Sequence, residues 1–187
     1  MQKNLQKKPE LNYRSDVLDI VQFGSSIFED LKPNDIDVAV IFKGIPLKQQ
    51  LEEAQKIKRQ LETKFNLPVH IKSYDIYSFF DKGNFAREGI LFYGKSLAHG
   101  GYFAETLGLI PKLQIYYSLK NLKKKDKIKF NYLLNGKGGK YGLLRKYKGA
   151  LVKPGMIEIS PEYEKIFTKA ISLLISDFTI KKVLLSR

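Results

Sequence analysis

An α+β protein of two domains is what the sequence predicts, and three observations carry that reading. Apolar segments in the first half alternate between short β-branched runs and one long run of helical period. Net charge divides sharply between the two halves. Cysteine is absent, while hydrophobic residues make up 43% of 187 residues, enough to bury a core without crosslinks or metal staples. Disorder, a collagen-like chain and a disulfide scaffold are excluded on these grounds, and the lack of Cys fits a reducing cytoplasm. The opening Met1-Gln2-Lys3-Asn4-Leu5 has no apolar stretch of the kind a secretory signal needs, and nowhere do about 18 apolar residues run uninterrupted. A cytoplasmic protein without a membrane partner is expected.

The element order follows from punctuation and period. Asp16 to Phe23 is short, apolar and β-branched and halts at Gly24, so it reads as a buried strand. Ser25 to Glu29 suggests a brief helical turn, and Leu31-Lys32-Pro33-Asn34 a loop. A second strand runs from Asp35 to Phe42. Leu47, Leu51, Ala54, Ile57, Leu61 and Phe65 recur at spacings of three and four, which predicts an amphipathic helix over Leu47 to Phe65. Val69 to Ser73 reads as a third strand and Ile76 to Phe80 as the opening of another helix, while Glu88 to Leu97 suggests a short strand or helix end.

Residues 1–97 form the expected first domain, a mixed sheet flanked by helices. Ala98-His99-Gly100-Gly101 marks the start of a hinge over 98–111, where His99 is assigned no chemistry. Residues 112–187 form a small basic α+β domain. There, Ile128 to Leu134 reads as a helix, and Asn135 to Lys140 as a flexible stretch or tight turn. Gly142-Leu143-Leu144 and Ala150-Leu151-Val152 are expected to pair as short strands. Ser160 with Pro161 makes a helix start, N-cap then Pro at the first helical position, with the helix running to about Ser176.

Charge separates these domains further. The chain carries 33 Lys+Arg against 19 Asp+Glu, yet residues 1–97 hold 15 and 13 of them, a net of +2. Residues 112–153 hold 13 basic side chains and the single acid Asp126. Such a field draws polyanions by steering and by release of counterions from phosphates. A uniformly Lys-rich, solvated surface is the plainer explanation, but it would not leave the first half nearly neutral. Lys123, Lys124, Lys125, Lys127, Lys137, Lys140, Arg145, Lys146 and Lys148 are the candidate nucleic-acid contacts. Of the rings among them, Phe130 is expected in the core, and Tyr141 and Tyr147 are the better candidates for stacking on bases.

The chemistry is concentrated in the first domain. Alternation along a strand projects Asp35 and Asp37 from one face, with Ile36, Val38 and Val40 on the other. Two adjacent anions repel unless a cation bridges them, and oxygen ligands suit Mg²⁺ or Mn²⁺. Upstream, Gly24 allows close backbone approach to a phosphate and Ser25 offers a hydroxyl. Nine residues, Ser26 to Asn34, separate the two pairs, which lets adjacent strands bring them to one end of a sheet.

Together, Phe23-Gly24-Ser25, the nine-residue spacer and Asp35-Ile36-Asp37-Val38 resemble the signature of the DNA polymerase β-like nucleotidyltransferase superfamily in its minimal, stand-alone form. The resemblance covers about residues 16–97, and Glu88-Gly89 with Tyr93-Gly94-Lys95 looks like the tail of such domains. It implies a nucleotidyltransferase-like fold in which Gly24 and Ser25 hold a nucleoside triphosphate and Asp35 and Asp37 bind two Mg²⁺ ions, or Mn²⁺. In-line attack on the α-phosphate then releases pyrophosphate. Such proteins usually carry a third carboxylate on the next strand, and the aligned position here is His70. Neutral imidazole can ligate Mn²⁺ or act as a base, but adds no negative charge. A polar residue at the sheet rim is the other reading of His70, and Asp75 and Glu88 are further candidates for the third acid.

Two functions are thus expected as alternatives. One is a metal-dependent nucleotidyltransferase that moves a nucleoside monophosphate from an NTP to an acceptor, taken to be nucleic acid, RNA or DNA. The other is a catalytically degenerate relative acting as a nucleic-acid-binding or regulatory protein. A toxin-like member acting on a partner protein is a third, less favoured by the extra basic domain.

Overall fold

The computed structural model describes residues 9–28, 31–138 and 140–186. It resolves into two compact units, 1–109 and 110–187, each built on its own mixed or antiparallel sheet with helices, an α+β organisation. The first sheet contains β1 (Val17–Phe23), β2 (Ile36–Phe42), β3 (Val69–Asp75) and β4 (Lys95–Ser96) in the order β3-β2-β1-β4. β1 runs antiparallel to β2 and β4, whereas β2 and β3 are parallel. A parallel pair needs a crossover, and α1 (Leu47–Glu62) supplies it.

β2 is the spine of this unit because both of its faces are covered. Ile36, Val38, Val40 and Phe42 join Ile57 and Leu61 of α1 in one buried cluster. On the opposite face, Ala39 and Ile41 join Phe79, Ile90 and Phe103. Those three come from α2 (Ile76–Phe80), α3 (Arg87–Tyr93) and α4 (Phe103–Thr106). Burial on both faces explains why Val38 to Phe42 reads as a continuous apolar run.

Three expectations for this unit are corrected. The stripe of α1 is narrower than its period suggested: Leu47 is 64% and Leu51 50% exposed, and the helix ends at Glu62. Gln50 and Glu53 are buried instead, and each meets a backbone partner. Gln50 Nε2 donates to the Ile45 carbonyl at 2.9 Å, and Glu53 Oε1 accepts the Arg14 N–H at 3.0 Å. The hinge expected at Ala98 to Gly101 is a packed turn within the first unit. Ala98 is buried, the N–H of Ser96 donates to the Gly101 carbonyl, and the glycine pair takes left-handed backbone. His99 Nε2 lies 3.3 Å from the Leu18 carbonyl, which ties this turn to β1.

A buried carboxylate was not foreseen. β1 shifts register between Val17 and Asp19, turning Asp19 inward to 1% exposure. Its Oδ1 accepts from Ser96 Oγ and from the Ile20 N–H, both at 2.7 Å. A buried carboxyl group bonded this way ties β4 to β1.

The second unit is formed by β5 (Leu109–Tyr117), α5 (Lys124–Asn135), β6 (Gly136–Lys137), β7 (Lys140–Tyr141), α6 (Leu143–Lys146), β8 (Ala150–Lys153), β9 (Met156–Ile159), α7 (Glu164–Ser172) and β10 (Phe178–Ser186). Its sheet has the order β10-β5-β9-β8, and β6 and β7 make a separate hairpin. Leu113, Ile115, Ile157 and Ile159 of the sheet, with Phe130, Phe167 and Ile171 of α5 and α7, are fully buried. Phe130 is therefore a core residue, as expected. Gly142 to Leu144 does not pair with Ala150 to Val152: Leu143–Lys146 is helical, and β8 pairs with β9 across Pro154-Gly155. Ser160 precedes a 3-10 turn at Pro161–Tyr163 without a side-chain capping hydrogen bond, and α7 ends at Ser172, short of the expected Ser176. No helix among the described residues is long and apolar enough to cross a membrane.

These layers make a direct stability contrast. Ile57→Ala is expected to lower unfolding free energy by about 2–4 kcal/mol by opening a cavity, whereas Leu51→Gln on the same helix changes it by less than about 0.5 kcal/mol. Urea titration of both variants measures the difference.

Candidate active site

The site is built where β1 ends and β2 begins. Phe23, the last residue of β1, stands opposite Asp37 in the antiparallel register. The next residue, Gly24, turns the chain with φ +76° into a single 3-10 turn, Gly24–Ile27. Its backbone lies so close to Asp37 that a Cβ on residue 24 would overlap Asp37 Oδ2. Glycine is thus required twice, for the left-handed backbone and for the close approach. Gly24 and the Asp37 carboxylate thus lie side by side.

β3 supplies the third group. His70 stands opposite Asp37 in the parallel register, and Ile36 N–H donates to the Pro68 carbonyl at the start of the pairing. Asp35, two residues before Asp37, faces His70, with Oδ2 3.3 Å from Nδ1. Asp35, Asp37 and His70 each offer one ligand atom within 4.8 Å of the others. Opposite ligands of an octahedral ion with bonds of about 2.1 Å lie about 4.2 Å apart, so modest side-chain closure brings all three to one cation. Two carboxylate oxygens and one imidazole nitrogen form a donor set that suits Mn²⁺, and Mg²⁺ through the carboxylates. Both Asp35 and His70 remain open to solvent, with side chains 34% and 59% exposed.

Serine has two roles at the turn. Ser25 is exposed, while Ser26 Oγ donates to the Phe23 carbonyl at 3.3 Å and accepts from Gln22 Nε2 at 3.0 Å. The second serine therefore braces the turn and leaves Ser25 facing outward. Phe28, just beyond, packs edge-on against Tyr93 of α3 at a centroid distance of 5.5 Å. Neither the Gln22–Ser26 brace nor the Phe28–Tyr93 contact is evident in the sequence, because both depend on packing across elements.

The alternative third acids are placed elsewhere. Asp75 lies opposite Phe42, at the far end of the β2–β3 pair from Asp37 and His70. Its carboxylate accepts the N–H groups of Tyr77 and Ser78 at 2.9 and 3.0 Å, capping α2. Hydrogen bonds from Ser78, backbone first and then hydroxyl, hold its pKa below the ordinary carboxylate value. Glu88 sits in the first turn of α3 and does not join the Asp35–Asp37–His70 group.

In the second unit, Lys123, Lys124, Lys125, Lys127, Lys137, Lys140, Arg145, Lys146 and Lys148 are all exposed. The two tyrosines part company. Tyr147 packs against Tyr163 and Phe167 at 4.8 and 6.0 Å, a structural position, whereas Tyr141 is 95% exposed.

Asp75 offers a control with a defined pH dependence. Its folded pKa is depressed, so the cap's stabilisation is present above the unfolded value and is lost as pH falls through the folded one. Asp75→Ala is expected to cost about 1 kcal/mol at neutral pH, with the difference from wild type shrinking below about pH 4. Divalent-ion binding should be unchanged. Thermal melts from pH 3 to pH 7, with Mn²⁺ titration at pH 7, check both statements.

No family model matches this chain and no curated protein matches it, so the functional argument stands on the geometry of Gly24, Asp35, Asp37 and His70.

Proposed function

We propose that this protein is a divalent-metal-dependent nucleotidyltransferase that moves a nucleoside monophosphate from an NTP to a nucleic-acid acceptor. The observation that carries the reading is the contact between the Gly24 backbone and Asp37, with Asp35 and His70 within reach of the same ion. A glycine-serine bend and a carboxylate pair are thereby joined in one small space, which is what triphosphate chemistry requires. The fold of the first unit supports it: a mixed sheet carries the pair at the start of its central strand, and helices cover both faces.

Each residue then has a task. Asp35 and Asp37 hold the cation, which when bound neutralises phosphate charge and favours the leaving of pyrophosphate. Gly24 lets the phosphate chain approach the backbone, and the exposed Ser25 hydroxyl donates to a phosphate oxygen. The 3-10 turn has only four residues, so its dipole adds little and Ser25 with the local N–H groups must do the binding. His70 completes the ligand set as a neutral nitrogen. The site consequently carries two negative charges where three carboxylates would carry three, which weakens attraction for Mg²⁺ and favours Mn²⁺. The basic second unit supplies the charge that attracts a polyanionic acceptor.

A second reading has its own support. His70 in place of an acid is what a relative retaining the fold and binding but not turnover would carry, and the protein would then act as a nucleic-acid-binding or regulatory module.

One assay separates the two. Wild-type protein is incubated with each α-³²P-labelled NTP, RNA or DNA acceptors, and Mg²⁺ or Mn²⁺. Transfer is expected with Mn²⁺ above Mg²⁺, falling by more than about 100-fold in Asp37→Asn, and His70→Asp is expected to raise the Mg²⁺-supported rate. Nucleic-acid binding with no transfer under any combination would favour the binding module.

A further inference from the structure

Among the described residues, the two non-glycine positions with left-handed backbone both lie in the basic segment: Tyr141 at φ +66° and Lys148 at φ +52°. For a bulky aromatic residue this conformation is a true outlier, and such outliers gather at functional sites because folding alone does not favour them. Tyr141 is also 95% exposed, so its ring gains nothing from burial. Strain without packing calls for a reason other than stability.

The surroundings of Tyr141 are built with care. It ends the β6–β7 hairpin, opposite Gly136, with Lys137 opposite Lys140. A Cβ on Gly136 would overlap the Lys140 carbonyl, and one on Gly142 would overlap the backbone of Leu134 and Asn135. Only glycine permits these two approaches, and together they clamp the hairpin base onto the end of α5. Leu134 and Leu144, buried beneath, anchor the clamp from α5 and α6. The ring is therefore displayed from a fixed base.

Charge defines what can meet it. Residues 137–148 contain Lys137, Lys140, Arg145, Lys146 and Lys148 and no acid, and all five cations reach the surface. Lys140 precedes Tyr141 in the chain and pairs with Lys137, so one short hairpin carries a ring and two cations, which suits a strand whose bases are unstacked: the ring takes a base face while the cations take phosphates. A duplex hides its base faces and offers its backbone and the base edges in its grooves.

We propose that the β6–β7 hairpin is a single-strand platform on which Tyr141 stacks against an unpaired base of a polynucleotide, with Lys137 and Lys140 on the flanking phosphates. It deepens the acceptor part of the nucleotidyltransferase reading, naming the acceptor class as single-stranded. It rests on that reading only there and needs neither metal nor nucleotide.

Fluorescence anisotropy tests it with fluorescein-labelled 20-mers of mixed sequence: single-stranded RNA, single-stranded DNA and the DNA duplex, in EDTA without NTP. Single strands are expected to bind more tightly than the duplex at about 150 mM salt. Tyr141→Ala should weaken single-strand binding by about tenfold, the order of one lost base stack, while duplex binding stays within twofold. Tyr141→Phe should bind as wild type. Lys137→Gln with Lys140→Gln should lower the slope of log affinity against log salt by more than about 1, whereas Tyr141→Ala should leave that slope unchanged. Tyr141→Gly, which removes the ring while relieving the backbone, should lose affinity as Tyr141→Ala does. Single-strand affinity within twofold of wild type in Tyr141→Gly, or equal losses for strand and duplex, would overturn the proposal. Because the assay excludes metal and nucleotide, its failure leaves the transfer chemistry untouched, and absence of transfer leaves this platform untouched.

Discussion

The first unit depends on β2, whose apolar residues are covered on both faces and whose start carries Asp35 and Asp37 on one side. Asp35 has His70 Nδ1 at 3.3 Å as a partner. Asp37 lies beside Gly24, where a Cβ on residue 24 would meet its Oδ2. Strand alternation and the β2–β3 register place both carboxylates next to His70.

The rest of the unit serves that placement. Asp37 shares its face of β2 with Ala39 and Ile41, whose cluster under α2, α3 and α4 holds the strand in register. On the opposite face, Ile36 and Val38 belong to the cluster under α1. The site is therefore an extension of one face of a rigid strand past its helical cover. Asp19, buried against Ser96, keeps β4 on β1 and so helps to fix the strand that ends in Gly24. In the second unit the division of labour is similar, with apolar residues of the sheet, α5 and α7 inside and the cations outside.

Much of this is legible in the sequence wherever a local rule decides the outcome. Ile36 to Phe42 reads as a buried strand because the apolar run Val38 to Phe42 is bounded by Asp37 before it and Lys43-Gly44 after it, and period two then puts Asp35 and Asp37 on one face. In the sequence His70 is their neighbour only through the resemblance, and the structure places it there because a parallel crossover brings the start of β3 beside the start of β2. Where outcomes depend on distant residues, the sequence is silent. Burial of Asp19 requires Ser96, 77 positions away. Exposure of Leu47 and Leu51 depends on how wide a stripe the sheet can cover, which helical period does not state. Asp75 is drawn into capping by two N–H groups of its own helix. β10 escapes notice because Lys181 and Lys182 interrupt its apolar pattern at a sheet edge, and the four residues of α6 are too few to show a period.

Anomalous diffraction from crystals grown with Mn²⁺ and a nonhydrolysable NTP analogue tests the central claim most directly. A manganese peak is expected within about 2.3 Å of an oxygen of both Asp35 and Asp37, with His70 turned toward it and the triphosphate lying along Gly24 and Ser25. A triphosphate bound away from that bend, or no manganese between the two carboxylates, would contradict the account.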